Sequence, residues 1–482
     1  MLYFNLIEKH LENNKSRFQD DLHCLTYKEL NYYSRAFSEQ IKNLPPNGTI
    51  LICSDNNLES CICILGCIAI GYRYTVVHNN ITDSKKEFIL NNANIVMVVG
   101  TDSNWLSNCK YEGDFFNTKQ IWKLNYMHGD SRSVKNQEQD VYILYTSGST
   151  KSPKGVLAGI SQVLFCINSI NSVLKNSPSD IIWNCLPLAF DYGMYQLFLA
   201  LSSESSFYIS PQPMISMIPK ILVEKKITGF PVVPSLLGML IKSKLLSRVS
   251  ITTLRYITST GDLLPVTWIK KFEQLLPNTT VVPMYGITEC KRVAIMPLDE
   301  SNKKYCGSCG LPLPGIEVQI EKESPDDPFG ELIVYGPNVM KGYWKDAEST
   351  GFGYDSQRQQ FSFRTGDLFS QDNEGFLYFV ERKSTFIKTN GYRISGKEID
   401  DFLLSKIDHI DEIFTLGIPD EILGQRIITI ISSKCSLKDI NKCVSMLPIY
   451  MRPSEVILVD YELPKNSNGK IDKNQIMEIV VK

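Results

Sequence analysis

The sequence predicts an α/β protein in two parts: a large N-terminal region of largely parallel sheets that passes into barrel-like β structure, and a small α+β unit at the C-terminal end. Three observations carry this expectation. Short apolar runs at residues 49–53, 95–99, 141–144 and 181–185 have the length and composition of buried strands, and helical stretches lie between several of them. From about residue 305 the runs shorten and are bracketed by Gly and Pro, as at 315–320, 330–334 and 375–380. After Arg382 the pattern becomes a strand near Thr385, a helix over 396–404, strands near Ile413 and Ile427, and a terminal helix. The main boundary is therefore placed at Lys383–Ser384, dividing 1–383 from 384–482.

Residues 25–41 have helical apolar spacing behind Thr26, a residue suited to capping a helix N-terminus. The most apolar stretch, 61–72, falls short of the ~20 residues that span a bilayer and reads as a buried helix. A further helix is expected to start near Val156. At roughly 150 residues per domain, 482 residues suggest about three structural units.

With 43% hydrophobic and 21% charged residues the chain has an ordinary globular composition. Fifty basic against 52 acidic side chains leave a net charge of −2, which offers no general electrostatic case for nucleic acid or membrane as a partner. Glu8 and Glu12 come early and no small-residue cleavage site follows, so no signal peptide is read. Thirteen cysteines without such a signal point to a reducing, cytoplasmic setting and to mostly buried thiols. Cys306-Gly-Ser-Cys309 lacks the second ligand pair of a structural zinc and reads as two thiols in a turn. The five histidines are scattered without ligand spacing, so surface or capping roles are expected of them and His-based acid–base catalysis is not.

Residues 145–156, Tyr-Thr-Ser-Gly-Ser-Thr-Lys-Ser-Pro-Lys-Gly-Val, are the most informative segment. A Gly and small hydroxyl residues after an apolar run free backbone N–H groups that can cradle phosphate oxygens, and Lys151 and Lys154 add charge. It is not a Walker loop, because Gly155 follows its lysine rather than preceding it.

Six further segments follow in order: Phe190-Asp191-Tyr192-Gly193; Thr260-Gly261-Asp262; Tyr285-Gly286-Ile287-Thr288-Glu289; Gly330-Glu331-Leu332 through Gly342-Tyr343-Trp344; Arg364-Thr365-Gly366-Asp367 on to Arg382; and 388–399 with Asn468-Gly469-Lys470. Together with the phosphate loop they resemble the ordered motifs of the adenylate-forming superfamily, the acyl-CoA ligases, luciferases and adenylation domains of nonribosomal peptide synthesis. The resemblance covers nearly the whole chain. It implies two parallel-rich α/β subdomains and a β-barrel-like subdomain, followed by a small mobile α+β domain.

It also implies a chemistry. Activating a carboxylate with ATP brings anions together at the α-phosphorus, so catalysis is mostly positioning and charge stabilisation. By resemblance, Thr146, Ser147, Gly148, Ser149, Thr150 and Lys154 hold phosphate, and Gly261 and Asp262 stand at the wall of the adenine and acyl sites. Tyr285 and Gly286 face adenine, Thr288 reaches an α-phosphate oxygen and Glu289 holds Mg²⁺, a hard ion suited to oxygen ligands. Asp367 accepts from the ribose hydroxyls and Arg382 adds charge there, with a surface ion pair as its alternative. Lys470 bridges the attacking carboxylate and the α-phosphate. The small domain then rotates, removing Lys470 and admitting a thiol. Two departures from the family pattern stand out: Ser384 where the hinge usually has Asp, and Lys151 where the loop usually has Gly.

For the acid, the pocket implied by alignment comprises Phe190, Asp191, Tyr192, Tyr195, Thr258, Thr260, Met284, Arg292 and Val293. An unpaired carboxylate in an apolar pocket is costly, so Asp191 is expected to pair with a substrate ammonium. That reading gives a small or cyclic amino acid, activated as aminoacyl-AMP by a freestanding enzyme and passed to the phosphopantetheine thiol of a separate carrier protein. Tyr192 and Tyr195 suggest a tight pocket and so a small or cyclic side chain, while Arg292, if it faces inward, would instead meet an acidic group, and the sequence leaves both readings open. The alternative function is an AMP-forming acyl-CoA ligase for a non-amino acid, in which Asp191 only caps a helix.

Overall fold

The computed structural model describes the chain apart from residues 79–80, 101–110, 114–121, 127–139, 147–152, 300–303, 306, 347, 384–385, 390–391, 408, 434, 466–470 and 481–482. Contacts group residues 1–318 with 334–364 in one unit, and 319–333 with 365–482 in another. The fold is mixed α/β with parallel-rich sheets, as expected.

In the first unit, strands Ser206–Ile209, Ile181–Asn184, Gly229–Val232, Tyr256–Ser259 and Thr280–Tyr285 lie side by side in that order and in parallel. Ala294–Ile295 and Leu311–Pro312 extend the last edge antiparallel. The sheet packs on helices through Trp183, Phe230, Val232, Ile257 and Phe272, with the Trp183 and Phe230 rings stacked at 4.5 Å. Ser259 faces Pro283 across the register, so Thr260 and Met284 emerge together at the carboxyl ends of neighbouring strands. Ligands of open parallel sheets bind at such ends.

A second sheet of the same unit contains Lys154–Gly159, Asp140–Thr146, Arg73–His78, Thr49–Ser54 and Ile95–Gly100 in that order. Strands Thr49–Ser54 and Ile95–Gly100 are buried throughout, which is why they read as continuous apolar runs rather than alternating ones. Helix Tyr27–Ile41 begins with a full capping box between Thr26 and Glu29, and helix Leu58–Ile70 is buried over most of its length.

Two sequence readings are corrected here. The chain after the phosphate loop is a strand, Lys154–Gly159, and the helix begins at Ile160. The strand forms because Thr146 pairs with Lys154 and Leu144 with Val156 across the loop. Gly155 permits that approach, since a Cβ there would lie 2.7 Å from Ile143. The histidines are not all surface groups either. His10 is buried with Nδ1 3.3 Å from Glu204, and His23 is half-buried between Asp20 and Glu59. The thiols match expectation better: Cys53, Cys61, Cys63, Cys67, Cys166, Cys185 and Cys290 are buried, while Cys306 lies outside the described residues.

In the second unit, residues 367–371 pair antiparallel with 377–382, Asp367 standing opposite Arg382. The long hairpin Ile410–Asp420 and Gly424–Ser433 is joined in parallel by Glu455–Val459. Helix Gly396–Lys406, capped by Ser395, and helix Leu437–Val444, capped by Ser436, cover it through Ile399, Leu403, Ile413, Ile431 and Ile440. Helix Lys473–Val480 closes the chain. No helix among the described residues is long and apolar enough to cross a membrane.

Candidate active site

The acid pocket is built at the carboxyl ends of the first sheet. Phe190 occupies the N-cap position of helix Asp191–Ser202, so Asp191 is the first helical residue rather than the cap. Its side chain turns to a protein cation. Lys291 places Nζ 3.2 Å from Asp191 Oδ2 and donates to the Asp191 main-chain oxygen at 3.0 Å. The ammonium also lies 4.4 Å from the centre of the Tyr195 ring. Lys291 is 1% exposed against 20% for Asp191, and burial lowers its pKa from 10.5 to about 8, the Asp191 carboxylate opposing that fall.

Arg292 is buried beside it. Its Nη1 donates to Thr260 Oγ1 at 2.8 Å and its guanidinium sits 5.3 Å from the Tyr192 ring centre. Arg292 Nε has no hydrogen-bond partner among the described residues. Tyr192 donates to the main-chain oxygen of Thr258 at 2.9 Å and lies 2.7 Å from Thr258 Oγ1, and Tyr195 meets Tyr142 hydroxyl to hydroxyl at 3.1 Å. Both phenols are thus spent on the wall. Met284 and Val293 complete it as buried apolar groups. Gly286 lets the chain fold back to deliver Lys291, because a Cβ there would meet the Lys291 carbonyl oxygen at 2.2 Å.

The phosphate-binding side is formed in the same unit. Thr146 Oγ1 lies 3.4 Å from the Lys154 carbonyl, at the mouth of the loop. Lys154 Nζ stands 4.5 Å from the centre of the Tyr343 ring and 3.8 Å from Asp346 Oδ2. Tyr343 donates to Glu289 Oε1 at 2.7 Å. Glu289 and Thr288 are half-buried neighbours, and their oxygens suit a hard divalent cation such as Mg²⁺. Tyr285 is buried at its strand end. Gly261 adopts φ 99°, a conformation that favours glycine, and exposed Asp262 accepts from Leu263 N at 2.8 Å. Ser147, Gly148, Ser149, Thr150 and Lys151 lie outside the described residues, as do Ser384 and Lys470.

In the second unit Arg382 Nε donates to Asp367 Oδ1 at 2.8 Å, with the carboxylate 2% and the guanidinium 53% exposed. These two predicted nucleotide contacts are therefore partners of each other. Lys383 pairs in turn with Glu331 at 3.2 Å.

Sequence reasoning brought together Asp191, Thr260, Arg292 and the tyrosines, and it missed Lys291 and Tyr343 as working residues. Lys291 had one available signal: it immediately precedes Arg292, in a segment already suspected of lining the pocket. The expectation that Asp191 needs a substrate cation loses its premise, because the protein supplies the cation.

Comparison with known proteins gives a consistent picture. A family model described as "AMP-binding enzyme" matches residues 9–344. The chain is 30% identical over 354 residues to indoleacetate–CoA ligase of Aromatoleum aromaticum, covering 70% of this chain and 67% of that protein. It is 24% identical over 480 residues to gramicidin S synthase 2 of Brevibacillus brevis, covering 94% of this chain but only 10% of that protein. Among solved structures, ATP-bound MatB from Rhodopseudomonas palustris superposes with a TM-score of 0.84 at 20% identity over 99% of this chain and 98% of that one, a likeness of fold.

Proposed function

Because the chain belongs to the family of AMP-binding enzymes, an adenylate-forming ligase family, we propose that it activates a non-amino carboxylic acid as acyl-AMP and transfers the acyl group to the thiol of coenzyme A. One observation carries the substrate reading. Asp191 is already paired with Lys291 at 3.2 Å, and Arg292, which feels the same single carboxylate, spends its Nη1 on Thr260 Oγ1. The pocket thus holds one more cation than anion, which favours an acid bearing a second anionic or acceptor group over one bearing an ammonium. The likeness to a CoA ligase supports the same acceptor.

The proposed steps are two. The substrate carboxylate attacks the α-phosphorus of ATP, forming the mixed anhydride and releasing pyrophosphate. The thiol then attacks the acyl carbon and AMP leaves. Lys154 and the loop 147–152 hold the phosphates, Thr288 reaches the α-phosphate, and Asp367 receives the ribose hydroxyls. Mg²⁺ at Glu289 would neutralise phosphate charge, and Tyr343 fixes the carboxylate that holds it. Lys470 offsets the charge that builds as the carboxylate approaches. The boundary near residue 383 is proposed as the hinge between the two half-reactions.

A second reading keeps one observation in its favour. Asp191 is 20% exposed where Lys291 is 1%, so one face of the carboxylate remains open to an ammonium. On that reading the substrate is an amino acid and the acceptor a phosphopantetheinylated carrier protein. The two separate by product analysis: ATP and a pool of carboxylic acids are supplied with coenzyme A or with a pantetheinylated carrier protein, and the thioesters are identified by mass. Acyl-CoA products support the first reading. Products on the carrier alone, all from amino acids, support the second.

A further inference from the structure

We propose that Asp20, His23 and Glu59 form a site for a divalent metal ion of the zinc or manganese class, tying the first hairpin of the chain to the N-terminus of helix Leu58–Ile70. The backbone brings the three together from two places. Asp20 and His23 sit in the turn between strands Phe18–Gln19 and Cys24–Leu25, and Glu59 projects from the first turn of the helix. One ligand atom from each lies within 4.8 Å of the other two. His23 Nδ1 is 3.3 Å from Asp20 Oδ1 and 3.7 Å from Glu59 Oε1. Ligands bound at ~2.0–2.2 Å around a tetrahedral ion sit about 3.3–3.6 Å apart, so the set needs little rearrangement to close on one.

The second observation is Glu59 itself. Its side chain is 2% exposed, and neither carboxylate oxygen has a hydrogen-bond partner among the described residues. A buried carboxylate without a donor is expensive, and two carboxylates here share one imidazole. A bound dication removes that cost directly. The remaining geometry fits such a centre. Asp20 is held in place by Leu22 N at 2.8 Å and His23 N at 2.7 Å on Oδ1, and by Leu58 N at 3.0 Å on Oδ2. His23 is 23% exposed, which leaves a path for the ion and room for a water ligand. One imidazole nitrogen with two carboxylate oxygens suits Zn²⁺ or Mn²⁺ better than the all-oxygen shells of Ca²⁺ or Mg²⁺. Three residues before Glu59, Asn56 donates to the Leu186 carbonyl at 2.8 Å and accepts from Leu188 N at 2.9 Å, in the segment leading to Phe190.

The test uses the full chain, stripped with a chelator, dialysed and free of nucleotide. Zn²⁺ and Mn²⁺ are titrated separately by calorimetry, with thermal unfolding followed in parallel. One equivalent of at least one ion should bind and raise Tm, and Glu59→Gln and His23→Gln should each weaken binding by about tenfold or more. Cys24→Ser, which removes the exposed neighbouring thiol, should bind as the wild type does. Should Glu59→Gln fail to fold, His23→Gln alone decides, since it alters a partly exposed residue. Binding of neither ion, or undiminished binding by folded His23→Gln, overturns the proposal. Loss of binding in Cys24→Ser with retention in both other variants overturns it too.

Discussion

Replacing Lys291 by Met keeps the volume of a buried side chain and removes its charge, leaving Asp191 without the cation that lies 3.2 Å away. Breaking a fully buried pair costs ~3–5 kcal/mol, and Asp191 retains some contact with solvent, so about 2 kcal/mol is the reasonable figure here. The functional consequence is sharper. A substrate ammonium can now take the place of the lost one and recover those ~2 kcal/mol, or about 30-fold in relative kcat/KM. The assay is ATP–pyrophosphate exchange on matched acids sharing one skeleton, with and without an amine. The wild type should favour the acid without it, and Lys291→Met should move the ratio about 30-fold towards the amine. An unchanged ratio in a folded variant refutes the claim that Lys291 is what satisfies Asp191.

Three other outcomes are expected. Tyr343→Phe removes the hydrogen bond on Glu289 Oε1, worth about 1 kcal/mol at this half-buried position, and should raise the Mg²⁺ concentration for half-maximal exchange about fivefold while leaving Tm nearly unchanged. Lys470→Ala should nearly abolish acyl-adenylate formation yet still pass a preformed acyl-adenylate to the thiol, and losing both half-reactions together would contradict its assignment. The Lys291 ammonium has its pKa lowered by burial from 10.5 to about 8, so between those values the unfolded chain binds more protons than the folded one. Its burial penalty is present in full below pH 8 and is relieved as pH rises towards 10.5, so wild-type stability relative to Lys291→Met should rise across that window. Urea unfolding at the two ends measures it, and a fall would contradict a lowered pKa for Lys291.

The sequence made the architecture legible where the signals are local. Thr26 with Glu29 marks a helix start, and fully buried strands such as Ile95–Gly100 announce themselves as apolar runs. It misled at Val156, where the apolar spacing fits strand or helix alike and the decision rests on pairing with Leu144 across a loop. The pocket was half legible. Asp191 and Arg292 stand in recognisable positions, but a lysine is ordinarily exposed, and nothing local says that Lys291 is buried. Its placement depends on Gly286 folding the chain back, a tertiary fact. Tyr343 and Glu289 come from distant segments, as do His23 and Glu59, so neither pairing leaves a spacing to read.

What the pocket accepts decides the substrate class. Substrate-dependent ATP–pyrophosphate exchange, run with purified protein against monocarboxylic acids, dicarboxylic acids and a full set of α-, β- and D-amino acids, tests that most directly. Exchange with acids that lack an amine, strongest for those carrying a second acidic group, is the predicted result. Exchange confined to amino acids would contradict it and return Asp191 to the role of ammonium receptor.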